Sequence, residues 1–142
     1  MAELENISNP IILTENQWRS MLADVQLRAP EEACGLLGGK DNQVLAVVPI
    51  ANIAKSRTRF RMEPGEQLRA FHQFEAQGLE IFGIYHSHPA GPGQPSETDI
   101  AEDYYPDAAY LIWSRQNDNW ECRAFRLGDG SFREVEIRII HP

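Results

Sequence analysis

Long apolar runs are missing from this chain, and so is an excess of basic residues. No stretch approaches the roughly 20 apolar residues that a membrane-spanning helix needs. The opening MAELENISNP carries acids where a secretory leader would carry a basic segment and an apolar core. Export is therefore not expected. Lysine and arginine number 13 against 21 aspartates and glutamates, a net charge of −8. A nucleic-acid partner wants clustered Lys and Arg, so that class is not expected either. Cysteine is scarce: Cys34 and Cys122 make neither a CxxC pair nor a disulfide framework. Both sit in apolar stretches and read as buried free thiols of a reducing, cytoplasmic compartment. There is no internal repeat and no low-complexity segment. A single domain over residues 1–142 is expected, large enough to bury a core without a disulfide or structural metal.

What is present is an alternation of helical and strand patterns. Thr14-Glu15-Asn16-Gln17 is a capping box, and Trp18, Met21, Leu22 and Val25 recur at helical spacing. The first helix is expected at about 15–28, stopped by Pro30. EEACGLLGG reads as a strand that runs out in a Gly-Gly turn, and QVLAVVPI as its hairpin partner. Residues 52–59 are polar and irregular, and Phe60-Arg61-Met62 reads as a short strand. Pro64 opens a second helix with Leu68, Phe71 and Phe74 on one face, closed by Gly78. EIFGIYH (80–86) and AAYLIWS (108–114) are continuous apolar runs, the signature of strands covered on both faces. A loop at 89–95 leads to a short helix that begins at Ser96 and ends before Pro106. WECRAF and REVEIRII close the chain around the turn Gly128-Asp129-Gly130, the latter as one strand with period-two alternation. The sum is α/β, a sheet with helices packed on it.

The chemistry concentrates in HSHPAGPGQPSETD, residues 86–99. His86 and His88 are two apart in an extended segment and point the same way, so their imidazoles can share one ion. Asp99 would be the third ligand, leaving a position for water, as in catalytic zinc sites. Ser96-Glu97-Thr98-Asp99 is equally a helix-start signature, and a lone His-x-His is weak. A base for the attacking water is also needed. The best distant candidates are Glu31 and Glu32, of which only one can face the site; solvated residues at a strand start are the plainer reading. Asp103, His72 and His141 are expected to be solvated or packing residues.

Together these residues resemble the JAMM metalloprotease motif of MPN domains. Pro30, Glu32, Cys34, Gly35, Leu36 and Leu37 match its first block. His86, Ser87, His88 and Pro89, then Ser96 and Asp99, match the second with the spacing intact. The resemblance implies an MPN fold, a curved mixed sheet flanked by helices and similar to cytidine deaminases. It implies one Zn2+ per chain, with His86, His88 and Asp99 as ligands. Glu32 corresponds to the base holding the water, Glu31 faces away, and Ser96 to the donor toward the oxyanion. The deaminase motif is absent. The family acts on peptide or isopeptide bonds. Residues 100–107 leave no room for the insertions of eukaryotic deubiquitinases, so the chain looks like the compact bacterial branch. The implied partner is a ubiquitin-like or sulfur-carrier protein with a C-terminal Gly-Gly, its tail extended against a sheet edge. The alternatives are a JAMM amidase for other small peptides and a non-catalytic MPN scaffold. Cys34 lies two residues from Glu32, close enough for an inhibitory contact, but on a strand it is expected to point into the core beside it. The sequence leaves the oligomeric state open.

Overall fold

The capping box forms as its residues dictate. Thr14 Oγ1 accepts from the Gln17 N–H at 3.1 Å, and Gln17 Oε1 accepts from the Thr14 N–H at 2.9 Å. The computed structural model describes residues 9–102, 105 and 107–141. In chain order they form β1 (Ile11–Thr14), α1 (Glu15–Arg28), β2 (Cys34–Lys40), β3 (Gln43–Ile50), α2 (Pro64–Ala76), β4 (Glu80–His88) and α3 (Glu97–Ala101). There follow β5 (Ala109–Gln116), β6 (Asn119–Gly128), β7 (Ser131–Val135) and β8 (Ile137–Ile140). No helix among the described residues is long and apolar enough to cross a membrane.

The strands make one mixed sheet in the order β7-β6-β5-β4-β2-β3-β1-β8. The pairs β4–β5, β1–β3 and β1–β8 are parallel and the remaining pairs antiparallel. REVEIRII is not one strand. It breaks at Glu136, and its halves pair at opposite edges of the sheet. A single connecting residue spans only a few ångströms, so the two edges must approach one another and the sheet must curl. The period-two pattern survives the break because Val135, Ile137 and Ile139 all face α1.

Both faces are covered, which is why the central strands read as unbroken apolar runs. Leu37, Tyr85, Leu111 and Trp113 pack with Met21 and Val25 of α1. Their neighbours Leu36, Ile84 and Ile112 point the other way, onto Ala70 and Phe74 of α2. Helix α2 starts with Pro64 in its first turn, and Gly78, at φ +70°, follows its end. Leu68, expected on its buried face, is 56% exposed. The inward row is Gln67, Ala70, Phe71 and Phe74, with Gln67 Nε2 donating to Tyr105 Oη at 2.9 Å; Leu68 lies about 100° around from Gln67.

The β2–β3 turn is Asp41-Asn42, at φ 54° and 64°, not Gly38-Gly39. Those two glycines lie inside β2, at a bulge. They make room: a Cβ on Gly38 would stand 2.7 Å from Phe74 Cε1, and one on Gly39 2.3 Å from the Gln43 carbonyl oxygen. Residues 60–62 form no strand; Asn52 and Met62 meet in an isolated bridge. Strand β1 has no counterpart in the sequence reading, because four residues that pair with the far C-terminus leave no local pattern.

Candidate metal centre

The strand bearing the histidines runs through His88, past the apolar run that ends at residue 86. His86, Ser87 and His88 pair in parallel register with Ile112, Trp113 and Ser114 of β5. His86 is fully buried and His88 is 7% exposed. Their spacing of two puts both imidazoles on one side, with ring centroids 4.9 Å apart.

The loop after β4 brings the N-terminus of α3 back to that strand. Ser96 caps the helix: its Oγ accepts from the Asp99 N–H at 3.0 Å, and its own N–H donates to Asp99 Oδ2 at 2.8 Å. The same carboxylate faces the histidines, Oδ2 lying 3.2 Å from His88 Nε2 and Oδ1 3.6 Å from His86 Nε2. The cap and the histidine contacts are thus compatible. On the opposite side, Glu32 Oε1 lies 3.5 Å from His86 Nδ1. Glu32 is buried while Glu31 is only half-buried.

The polar atoms here are incompletely satisfied. Glu32 Oε1 and both ring nitrogens of His86 are buried without a hydrogen-bond partner. Such orphans are costly in a protein interior. Ligand atoms of Glu32, His86 and His88 lie within 4.8 Å of one another. Imidazole and carboxylate donors converging in a dry pocket suit a divalent cation, and the orphaned atoms fit one. His88 is also oriented from behind, its Nδ1 2.8 Å from the Pro92 carbonyl oxygen. Donation to that oxygen leaves Nε2 as the free lone pair, a common support of metal-ligating histidines.

Electrostatics reflect the contacts. Burial disfavours ionised Asp99, but the His88 hydrogen bond, the neighbouring His86 and the Ser96 N–H outweigh it and hold its carboxyl at about 2. Burial likewise disfavours the charged form of His88, yet the contacts with Asp99 and the Pro92 carbonyl raise its pKa overall.

A cavity of about 530 Å3 adjoins Asp99, walled by Arg59–Met62, Gln67, Tyr105 and Tyr110. A larger one, about 690 Å3, lies on the β6–β7 hairpin and touches none of these groups; the smaller is the one placed to feed the site. Of the polar 52–59 stretch, Arg59 reaches the cavity wall. Phe60 stacks on His86 with centroids 4.7 Å apart.

Sequence reasoning placed Ser87 in the motif without a role; its Oγ accepts from the Ala33 N–H at 2.8 Å and ties β4 to the residue after Glu32. Sequence reasoning missed Pro92, Asn52 and Phe60, which no local pattern marks. Cys34 makes no inhibitory contact: its Sγ donates toward the Ile50 carbonyl at 3.4 Å, and burial pushes the thiol up to about 12. Cys122 is half-buried rather than buried. His72 is exposed, and His141 Nδ1 is 2.7 Å from Glu15 Oε2 at the surface. Asp103 and Pro106 lie outside the described residues.

Known proteins share this arrangement of chain. The model of prokaryotic homologues of the JAB domain matches residues 14–128. The CysO-cysteine peptidase of Mycobacterium tuberculosis is 31% identical over 133 residues, covering 92% of this chain and 91% of that one. The desampylase of Pyrococcus furiosus is 36% identical over 131 residues, covering 92% and 89%. The solution structure of a Desulfitobacterium hafniense protein superposes with a TM-score of 0.82 at 35% identity, covering 92% and 93%. A JAB1/MPN domain protein from Archaeoglobus fulgidus, at 19% identity and a TM-score of 0.58 over 90% and 97%, shares the fold. With most of its length matched by the family model and by relatives above 30% identity, the chain belongs to the prokaryotic branch of the JAB (JAMM/MPN) family.

Proposed function

We propose that this protein is a zinc-dependent peptidase that cuts an amide bond after Gly-Gly at the C-terminus of a ubiquitin-like or sulfur-carrier protein. That it is a JAMM-type hydrolase follows from the family and from the relatives' own names, a peptidase and a desampylase. The observation that supports the metal-dependent part of the reading is the convergence of His86, His88, Asp99 and Glu32 with buried orphaned polar atoms; the carrier part draws on the relatives' names.

In this reading His86, His88 and Asp99 hold one zinc ion. A zinc ion held there would supply Lewis-acid polarisation of the scissile carbonyl and would lower the pKa of a water toward about 7. The chain's own residues do the rest. Glu32 accepts a proton from the attacking water and delivers it to the amine as the C–N bond breaks. Its burial beside His86 keeps the carboxylate dry and aimed. Ser96 Oγ acts only as acceptor toward the Asp99 N–H, so that bond does not use its hydroxyl hydrogen, which would donate to the oxygen that becomes anionic as water adds to the carbonyl. Water adds its oxygen to carbon, the amine leaves, and no redox partner is needed.

The tail would lie along residues 59–62, which line the cavity. The histidines sit on β4, an inner strand between β5 and β2, away from either sheet edge. Gly-Gly suits a narrow passage because side chains would clash there.

The test is zinc per chain by elemental analysis, together with cleavage of a carrier bearing a residue beyond Gly-Gly. About one zinc and a product ending in Gly-Gly support the reading. Equal cutting of unrelated short peptides would favour a general amidase, and zinc without any cleavage a scaffold.

A further inference from the structure

The base candidate's own backbone groups are held by the polar loop, while its neighbour Ala33 is tied to Ser87 of β4. Strand β2 begins at Cys34, two residues after Glu32. The Glu32 N–H donates to the Ser56 carbonyl at 2.8 Å. The Glu32 carbonyl accepts from Asn52 Nδ2 at 3.0 Å. Both partners belong to the segment 52–59.

Asn52 is 7% exposed, and its amide is fully used. Nδ2 also donates to the Arg59 carbonyl at 3.1 Å, while Oδ1 accepts from the Ala54 N–H at 3.0 Å and the Arg61 N–H at 2.9 Å. Two donor hydrogens and two lone pairs are the whole capacity of a side-chain amide. One buried group therefore fixes the backbone of Glu32 against that of Arg59 and Arg61. The latter two wall the cavity beside Asp99, and Phe60 between them stacks on His86.

We propose that Asn52 is a positioning residue for the hydrolysis. It keeps Glu32 in register with the cavity wall, so that a substrate lying against 59–62 meets the carboxylate at the correct distance. This rests on Glu32 being the base. The histidines stand on β4 and are held by β5 and by Ser87–Ala33, so losing Asn52 leaves them in place. The link is thus specific to the base and the wall.

Zinc-loaded wild type, Asn52→Ala, Asn52→Asp and Glu32→Gln are compared on a peptide carrying one residue beyond Gly-Gly. Zinc affinity is read by chelator competition and amide exchange by NMR. Both Asn52 variants should lose roughly 10- to 100-fold in kcat, the usual consequence of about an ångström of misplacement. Zinc affinity should be unchanged, and exchange at the Glu32 N–H should rise. Asn52→Asp retains an acceptor, so Ala54 and Arg61 should stay protected in it and lose protection in Asn52→Ala. A loss confined to Asn52→Asp would mark an effect of the added charge and overturn the proposal. So would unchanged exchange at Glu32 in both variants, or zinc affinity falling in step with kcat. Full turnover by Glu32→Gln would sink the base assignment, and the exchange data tell that failure from a failure of Asn52 itself.

Discussion

The two halves of the site are built differently. The histidines and Asp99 come from fourteen consecutive residues, 86–99, supported by a buried parallel strand pair and a helix cap. Glu32 arrives from 54 residues before His86 and is held by a loop that also walls the cavity. The first half is local and rigid; the second is assembled from distant segments. A metal site tolerates little displacement of its donors, so a short span on a packed strand suits it. On the proposed reading of Glu32 as the base, which must meet a substrate, an attachment shared with the cavity wall suits it.

The contrast is broken most completely by His88→Ala. That variant should lose zinc and all turnover while keeping the fold, as elemental analysis and circular dichroism would show; retained zinc would remove His88 from the site. Glu32→Gln separates the halves: zinc content should stay near wild type while kcat falls about 100- to 10,000-fold, the range of a lost acid–base catalyst. Normal cleavage by this variant would place the base elsewhere. Ser96→Ala should lower kcat by about 100- to 1000-fold if its hydroxyl serves the oxyanion. A drop in thermal stability worth about 1 kcal/mol, with kcat intact, would leave it only the cap.

A smaller effect sharpens the comparison through pH. The Asp99 carboxyl lies at about 2, below its ordinary 3.8. Its ionised form therefore stabilises the metal-free protein above the ordinary value, and that contribution is lost as pH falls toward 2. His88 is raised above 6.5, so its contribution is full below 6.5 and is lost as pH rises through the raised value. Melting of EDTA-treated protein should show this pair helping most between about pH 4 and 6.5. Zinc competes with protons for His88 Nε2, so zinc affinity should fall from pH 7 to pH 5. Affinity independent of pH over that range would argue against His88 as a ligand.

Much of the fold was legible because the signals were local. The Thr14 and Ser96 caps, the Pro64 helix start and the doubly buried runs of β4 and β5 each follow from a few neighbouring side chains. Leu68 was misread because the inward row takes in Gln67, whose amide satisfies Tyr105, and a polar residue on a buried row breaks an apolar count. Gly38 and Gly39 were misread as a turn because a glycine that yields to Phe74 or to a neighbouring carbonyl looks, in sequence, like one that bends the chain. Gly35 shows the same logic within the motif: a Cβ there would stand 2.1 Å from Tyr85 Cε2. The Tyr85 ring must lie there because its hydroxyl donates to Asp24 at 2.6 Å.

By itself the sequence determined the spacing that puts His86 and His88 on one side of a strand, the caps and the covering of the central strands, since each depends on spacing within a helix turn or along a strand. Only the tertiary structure decided that REVEIRII divides between opposite sheet edges and that Glu32 reaches His86. It alone decided that Asn52 joins Glu32 to the cavity wall. Those outcomes depend on hydrogen bonds between residues far apart in the chain, and nothing in a local pattern encodes which distant backbone groups will be left needing a partner.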